Sequence, residues 1–302
     1  MISELAKQLT ITVGITTCYG EASIVDTVRS IRASQNIPSF RFIIVADRVP
    51  VPPAVKQELA TLGVELVERP GSASQLVKQK LILSMTTSDL LVFTQDDVLF
   101  APDTLARIVR KFAEHPRTTF VAVNNTTAQP QNRFEAALNV GTRVAMRMAE
   151  LWRGGDNYLA VVGRLMAFRT AWLKTITIPD NVVSSDAYFY FENKRRGGTF
   201  AYLPQAAIVF RNPQNMKEHL RKSARFQHSK REMVGYFGPD IVREYFVPTR
   251  AKIRAMLEEA LRHPLSFAHY VAVYAYSRFM CEQPKTALNA NWEVDRSTKQ
   301  VA

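Results

Sequence analysis

Two adjacent carboxylates, Asp96 and Asp97, follow directly after an apolar run in the stretch "LLVFTQDDVLFAPDTL". Adjacent carboxylates repel each other unless a cation or hydrogen-bond donors hold them. A divalent metal with oxygen ligands that bridges to a diphosphate would hold them. The alternative is that strand ends often carry acids, which would make Asp97 a solvated turn residue. The pair is a weak motif until its surroundings are considered.

Two further acids stand at comparable places. Asp47 follows the apolar run "FIIVA", and Asp186 opens a predicted helix after "VVSS". In an open α/β sheet the ligand site lies beyond the carboxyl ends of the strands, so these side chains are candidate site residues. Asp186 has the chemistry of a general base, but it could equally cap the helix, with Ser184 and Ser185 as rival caps. Asp103 in "APDTL" is better explained as a helix-start acid.

The elements that must position these acids alternate between strand and helix. Strand-like runs are "ITVGITT", "FRFIIVA", "VELV", "LLVFT" and "FVAV". Helical spacing of apolar residues separates the first two runs, and helices are predicted at about 74–85 and 103–112. This alternation predicts an α/β fold with a mixed, mostly parallel sheet flanked by helices.

The second half of the chain is less regular. Strand-like runs "LAVVGRLMAF" and "FAYLPQAAIVF" flank "VVSSDAYFYFENKRRGG", in which a helix is expected to stop at Gly197 and Gly198. From Asn212 onward the pattern is helical and strongly basic, and the stretch from about Thr286 is polar and expected to be loose. We therefore predict an α/β domain over 1–211 and a basic helical extension over 212–302.

The order and spacing of these segments resemble the family 2 glycosyltransferases over about residues 11–233. That family has the Rossmann-like GT-A fold. "ITVGITTCYGEASIVDTVRSI" looks like its opening strand, loop and helix, without the usual proline and asparagine. "FTQDDVLF" matches its metal-binding Asp-x-Asp segment, with Gln95 in place of the first acid and Asp97 at the last. "SSDAYF" is similar to its Glu-Asp segment, with Ser185 replacing the glutamate. "KSARF" keeps only Arg225 and an aromatic of the motif found in processive members.

The resemblance implies inverting transfer of a sugar from a nucleotide diphosphate donor to an acceptor hydroxyl. Asp186 would be the general base, and Asp97 would bind Mn²⁺ or Mg²⁺. Residues 10–125 would form the nucleotide half and 126–211 the acceptor half. The nucleotide-sugar site would include Thr17, Glu21, Asp47, Lys80, Asp96 and Arg225. Lys222 and Arg221 are further candidates for the diphosphate, although a charged helix is more often a solvated face. Arg211 stands where many relatives carry a metal-binding histidine, with His219 and His228 nearby in sequence.

Composition bounds the setting of this chemistry. A formal net charge of +12 over 302 residues calls for an anionic partner. The only cysteines, Cys18 and Cys281, indicate neither a disulfide framework nor a zinc site, and no secretory signal or membrane-spanning run is evident. These features favour a cytoplasmic protein.

The aromatic-rich segment "PLSFAHYVAVYAYSRFM", residues 264–280, has two readings. It could contact an anionic membrane at the inner face of the cell membrane, which would suit a glycan or lipid-linked acceptor and a role in cell-envelope polysaccharide biosynthesis. It could equally pack against the catalytic domain or a second subunit.

Two rival functions fit parts of the pattern. A sugar-nucleotide nucleotidyltransferase would be expected to carry a glycine-rich, basic loop after the first strand, where "TTCYGEAS" has a single glycine and no lysine or arginine. A nucleic-acid-binding protein is suggested by the charge, but strand-terminal acids would oppose a phosphate backbone. Both rank below glycosyl transfer.

Overall fold

The computed structural model describes residues 8–18, 22–280 and 296–301. Glu21, Cys281 and the stretch 286–295 of the predicted loose segment lie outside these residues. The described chain builds an eight-stranded sheet with the strand order β3-β2-β1-β4-β7-β6-β8-β5. The strands are β1 Ile11–Thr17, β2 Phe40–Ala46, β3 Glu65–Glu68, β4 Leu90–Gln95, β5 Val98–Phe100, β6 Thr118–Thr127, β7 Leu165–Arg169 and β8 Thr199–Phe210.

The sheet changes direction at β4. Strands β3, β2, β1 and β4 run parallel, whereas β7 is antiparallel to both β4 and β6. The carboxyl end of β4 therefore meets the amino end of β7, where Thr94 pairs with Leu165. This places the residues just before β7 beside the acids that follow β4. The predicted α/β fold with a mixed, mostly parallel sheet is confirmed.

Helices cover both faces of the sheet. They are α1 Ser23–Arg32, α2 Pro53–Thr61, α3 Gln75–Met85, α4 Thr104–Glu114, α5 Arg133–Leu151, α6 Thr170–Leu173, α7 Ser185–Arg195, α8 Met216–Phe237, α9 Thr249–Arg262 and α10 Pro264–Met280. Short 3₁₀ turns lie at Arg153–Gly155, Tyr158–Ala160, Pro239–Tyr245 and Arg296–Thr298. Ser74, Asn132 and Asn215 accept backbone hydrogen bonds as N-caps of α3, α5 and α8, as expected for these residue types.

Two hydrophobic layers follow from the alternation of side chains along the strands. Val13 and Ile15 of β1 face one layer, while Gly14 faces the other, where helix α3 lies. A Cβ atom on Gly14 would lie 2.6 Å from Ile82 Cγ2, closer than packed carbons approach. The missing side chain lets α3 lie against β1, and this close packing brings the first turn of α3 to the end of that strand.

The basic C-terminal helices pack on α5. Ion pairs join Arg143 to Glu259 and Arg147 to Glu258. Gly141 of α5 lies directly under the ring of Tyr270 in α10. Within the described ranges, no helix has the length and apolar character needed to cross a membrane.

Candidate active site

A pocket of about 220 Å³ opens at the carboxyl ends of β1 and β4. It brings together predicted site residues from distant parts of the chain: Thr17, Asp96, Asp97, Asp186 and Arg225. The division predicted at residue 211 remains a prediction, and the pocket uses residues from both sides of it.

Asp96 and Asp97 form the anionic end of the pocket. Thr17 Oγ1 donates to Asp96 Oδ2 at 2.6 Å, and the ammonium of Lys299 lies 2.5 Å from Asp96 Oδ1. Asp97 Oδ2 accepts from Thr298 Oγ1 at 3.2 Å and lies 3.4 Å from Lys299 Nζ. Burial by itself would raise the pKa of Asp97, but the charges of Lys299 and Arg164 outweigh burial, so the pKa is lowered and Asp97 is held ionised.

Asp47 lies behind the pocket wall rather than on it. Its Oδ1 is 2.7 Å from Lys78 Nζ, and its Oδ2 accepts from Ala73 N at 2.7 Å. Lys78 also donates to Thr17 O at 3.0 Å and lines the pocket. In this structure Asp47 fixes Lys78 and the loop before α3. Its predicted contact with the nucleotide remains a prediction.

Lys80 is two residues from Lys78 but points away. Its ammonium pairs with Asp180, and its side chain is 40% exposed. Successive residues of a helix are rotated by about 100° around its axis. Side chains two residues apart, such as those of Lys78 and Lys80, therefore face nearly opposite directions. The structure thus brings Lys78, not the predicted Lys80, to the pocket.

Asp186 sits in the first turn of α7. Its Oδ2 accepts from Gly163 N at 3.2 Å, and its Oδ1 accepts from Ala187 N at 2.8 Å. Glu232 holds the turn that precedes the helix, because its carboxylate accepts from the backbone N–H groups of Val183 and Ser184 at 2.8 and 2.9 Å. Burial raises the pKa of Asp186, and the backbone hydrogen bonds from Ala187 and Gly163 oppose that rise only in part. A base with a raised pKa is better matched to proton transfer near neutral pH than an ordinary aspartate is.

Cationic side chains outnumber the carboxylates around the pocket. Among the described residues six line it against three acids, and they are Arg48, Lys78, Arg164, Lys222, Arg225 and Lys299. An excess of positive charge in a concave site attracts polyanions such as a diphosphate. Sequence reasoning missed Arg48, Lys78, Arg164 and Lys299. For Arg164 there was a signal, since it interrupts the apolar run "LAVVGRLMAF".

Residues 296–301 belong to the site, which corrects the expectation that the whole stretch from Thr286 is loose. Arg211 holds this segment: its Nε donates to Gln300 O, and its Nη1 lies 2.9 Å from Glu135 Oε1. Arg211 and Glu135 are both buried. A polar sequence is typical of a solvated tail, but here its polar groups meet buried charges. Arg211, at the position where the resemblance implied a metal-binding histidine, thus anchors the segment instead.

The nearby histidines do not complete a metal site. His219 packs its ring edge against Phe134 at a centroid distance of 6.0 Å, and neither it nor His228 lines the pocket. In the part of the chain that the structure describes, no three His, Cys, Asp or Glu side chains group as metal ligands. Asp97 Oδ1, however, is a buried carboxylate oxygen that meets no hydrogen-bond donor among the described residues. A hard cation with further ligands from a diphosphate fits such an oxygen.

Residues 9–229 match the profile of the family described as "Glycosyltransferase like family 2". The match covers well over half of the chain. The chain belongs to this glycosyltransferase family. Family membership favours glycosyl transfer over the nucleotidyltransferase and nucleic-acid-binding alternatives. A search of curated proteins found no match.

Solved glycosyltransferases share the fold. A mannosyltransferase from Pyrobaculum calidifontis, in complex with GDP-Man and Mn²⁺, is 18% identical over 92% of this chain and 76% of its own, with a TM-score of 0.58. Glucosyl-3-phosphoglycerate synthase from Mycobacterium tuberculosis, in complex with Mn²⁺, UDP and glucosyl-3-phosphoglycerate, is 14% identical over 78% of this chain and 83% of its own, with a TM-score of 0.54. At such identities the likeness establishes the GT-A fold.

Proposed function

We propose that this family 2 glycosyltransferase transfers a sugar, with inversion, from a nucleoside diphosphate donor to an acceptor hydroxyl. The observation that carries the proposal is the placing of Asp97 and Asp186 in one pocket lined by six cationic side chains. The two acids occupy different environments, and their pKa values shift in opposite directions. Carboxylates held apart in this way take different roles, one as an anionic ligand and the other as a base.

The donor end of the proposed site is formed by Asp96, Asp97 and the surrounding cations. Asp97 Oδ1 would hold Mn²⁺ or Mg²⁺, and the complex of the mannosyltransferase contains Mn²⁺ while one complex of the synthase contains Mg²⁺. When bound, the ion would neutralise the charge that develops on the departing diphosphate. Arg164 supplies further positive charge beside Asp97, and Lys222 and Arg225 line the same pocket, where they would help to orient the diphosphate while the sugar faces Asp186.

Asp186 would accept the proton of the acceptor hydroxyl. Its hydrogen bonds from Gly163 N and Ala187 N fix the carboxylate at the pocket wall. The acceptor oxygen would attack from the face opposite to the leaving diphosphate, which gives inversion. The acceptor that we propose is a glycan or a lipid-linked saccharide.

The deciding experiment is a donor screen followed by anomeric analysis. UDP- and GDP-linked hexoses are incubated with the protein, Mn²⁺ and simple sugar acceptors, and release of the nucleoside diphosphate is measured. We expect release with one nucleotide, loss of about 10²-fold or more in kcat for Asp186→Asn, and retained donor binding in that variant. The configuration of the product by proton NMR tests inversion. Full activity of Asp186→Asn, or a product with retained configuration, would contradict the mechanism.

We also propose that helices α9 and α10 rest on an anionic membrane surface. Their outward sides expose large apolar residues, with Leu261 83%, Leu265 87% and Phe279 85% exposed. The same two helices carry five lysines or arginines against two glutamates, which pair both with Arg143 and Arg147 of α5 and with Arg254 and Arg262 of α9. Apolar side chains flanked by an excess of basic charge suit the headgroup region of an anionic bilayer.

Vesicle co-sedimentation tests this surface. We expect binding to phosphatidylglycerol vesicles, weak binding to phosphatidylcholine vesicles, and weaker binding at high salt. Leu265→Ser combined with Phe279→Ser should reduce binding without changing soluble activity. A dimer in light scattering that dissociates in the same double variant would assign the surface to a second subunit and contradict the proposal.

A further inference from the structure

A lysine occupies the cation position of the site. We propose that Lys299 is the resident cation of Asp96 and Asp97 and lowers their affinity for a free divalent metal, so that the metal binds together with a nucleoside diphosphate. The proposal rests on the proposed function, because it assigns the metal position from that reaction.

The geometry around Lys299 supports this role. Its ammonium lies 2.5 Å from Asp96 Oδ1 and 3.4 Å from Asp97 Oδ2. Lys299 is 8% exposed and Asp96 is 7% exposed, so water screens this contact weakly. One ammonium thus balances part of the charge of two acids that would otherwise repel each other.

The segment that carries Lys299 is held on both sides of it. Thr298 donates to Asp97, and Ser297 Oγ bonds to Gln214 N at 3.1 Å and to Glu218. After Lys299, the Gln300 carbonyl accepts from Arg211. Arg211 is itself fixed by its buried pair with Glu135. A tail resting by chance on the surface would not combine this many specific partners, among them the buried Arg211, so the position of Lys299 is built into the fold.

The consequence for a metal follows from charge. Within the described residues Asp97 Oδ1 accepts no hydrogen bond, but an ion bound there would share its carboxylate with the ammonium on the other oxygen. Two cations at one carboxylate repel, which weakens binding of the bare ion. A diphosphate brings negative charge and oxygen ligands to both cations, and it removes this penalty. The chain also lacks the first acid of the Asp-x-Asp segment, at Gln95, which leaves fewer anionic ligands for the metal alone.

The test measures metal binding without turnover. Electron paramagnetic resonance of hydrated Mn²⁺ gives the concentration of free ion, and therefore a Kd for the full-length protein. We expect Lys299→Met to bind Mn²⁺ at least about tenfold more tightly than the wild type when no nucleotide is present. Lys299→Arg keeps the positive charge and should bind Mn²⁺ as weakly as the wild type does. When UDP or GDP is added, whichever the protein binds, the Mn²⁺ Kd values of the wild type and of Lys299→Met should become more similar.

Lys222→Met is the matched control. Lys222 lines the same pocket, and its ammonium lies 3.3 Å from the Asn212 amide oxygen instead of between the two acids. Its loss should change Mn²⁺ affinity by less than about threefold. Thermal unfolding of each variant verifies that the chain remains folded.

The outcomes separate this inference from the proposed function. An unchanged or weaker Mn²⁺ affinity in Lys299→Met overturns the role of Lys299, even if the wild type transfers sugar. A tenfold gain that Lys222→Met does not share supports it. The same gain in a protein that releases nucleoside diphosphate from no donor in the screen would support the cation exchange and count against the transferase mechanism.

Discussion

The ammonium of Lys78 lies 2.7 Å from Asp47 Oδ1, and the two side chains are 2% and 0% exposed. This ion pair joins the first turn of α3 to the end of β2. Lys78 also donates to Thr17 O and contacts Cys18 Sγ at 3.1 Å, so it ties the end of β1 to the same point. The pair therefore holds the three elements that form one wall of the pocket.

Replacing Lys78 by methionine should destabilise the protein by about 3–5 kcal/mol, because Asp47 would remain buried without its counter-charge. Urea unfolding of the variant measures this free energy. Lys80→Met is a control on the same helix, with an exposed pair to Asp180, and should cost less than about 1 kcal/mol. Lys78→Met with Asp47→Asn should cost less than the sum of the single changes. Equal effects of Lys78→Met and Lys80→Met would contradict the buried pair.

The pH profile of kcat/KM should show an acid limb set by Asp186. Burial raises the pKa of this carboxyl above its ordinary value of 3.8. Because the ionised form accepts the proton, activity should fall as the pH falls through the raised pKa. Asp97 has a lowered pKa and stays ionised over that range, so it should not contribute. The residual activity of Asp186→Asn should lack this limb. A limb centred at or below 3.8 in the wild type would count against a buried base.

His219 should make the fold sensitive to mild acid. Burial lowers the pKa of His219 to about 4, with the charge of Lys222 adding to the effect. Between pH 6.5 and about 4 the unfolded chain binds a proton that the folded chain does not, so stability falls as the pH falls. The shift itself corresponds to about 3 kcal/mol at pH 4, and because the side chain is partly exposed, screening by solvent should reduce the loss to roughly 2 kcal/mol. It should be absent above about pH 7.5.

Unfolding of His219→Gln across this pH range measures the effect. The variant should lose less stability than the wild type between pH 7 and 4, whatever its stability at neutral pH. His263→Gln, at an exposed position, is the control and should follow the wild type. Parallel curves for wild type and His219→Gln would exclude the buried imidazole as the cause.

Gly141 should be required for the docking of α10 on α5. A Cβ atom there would overlap the ring of Tyr270, so Gly141→Ala should cost about 1–3 kcal/mol in urea unfolding. Gly235→Ala is the matched control, since a Cβ atom in that helix meets nothing within 4 Å. Alanine there should be neutral or stabilising by up to about 1 kcal/mol. Combining Gly141→Ala with Tyr270→Leu should recover part of the lost free energy of unfolding. If the costs of the two changes simply added, the contact between residue 141 and the ring of Tyr270 would not be the cause.

The strands were predictable because their signal is local. Runs of β-branched residues predicted β1 and β2 with the same first and last residues that the structure shows. The acids that follow β2 and β4 were found because the ends of these runs are visible in the sequence. Helix α2 and strand β5 were missed. Only Leu59 of α2 is buried, and β5 has three residues, so neither carries a clear periodic pattern.

The parts of the site that the sequence did not reveal depend on which way a helix faces or on contacts between residues far apart in the sequence. The choice between Lys78 and Lys80 is set by which side of α3 meets the sheet, and the "QLVKQKLILSM" pattern is too weakly amphipathic to show it. Lys299 pairs with an acid 203 residues earlier, and no spacing rule predicts a contact of that range. The role of Arg211 likewise follows from a buried partner, Glu135, 76 residues away.

The 203 residues between Asp96 and Lys299 also order the events of biosynthesis. Strands β1 to β4 can pair as soon as they have left the ribosome, since amino-terminal elements fold first during translation. At that stage the two aspartates repel each other without their lysine. Of the two cations that lower the pKa of Asp97, Arg164 is therefore available to the nascent sheet well before Lys299, and the acid pair receives its full counter-charge only when residue 299 has emerged.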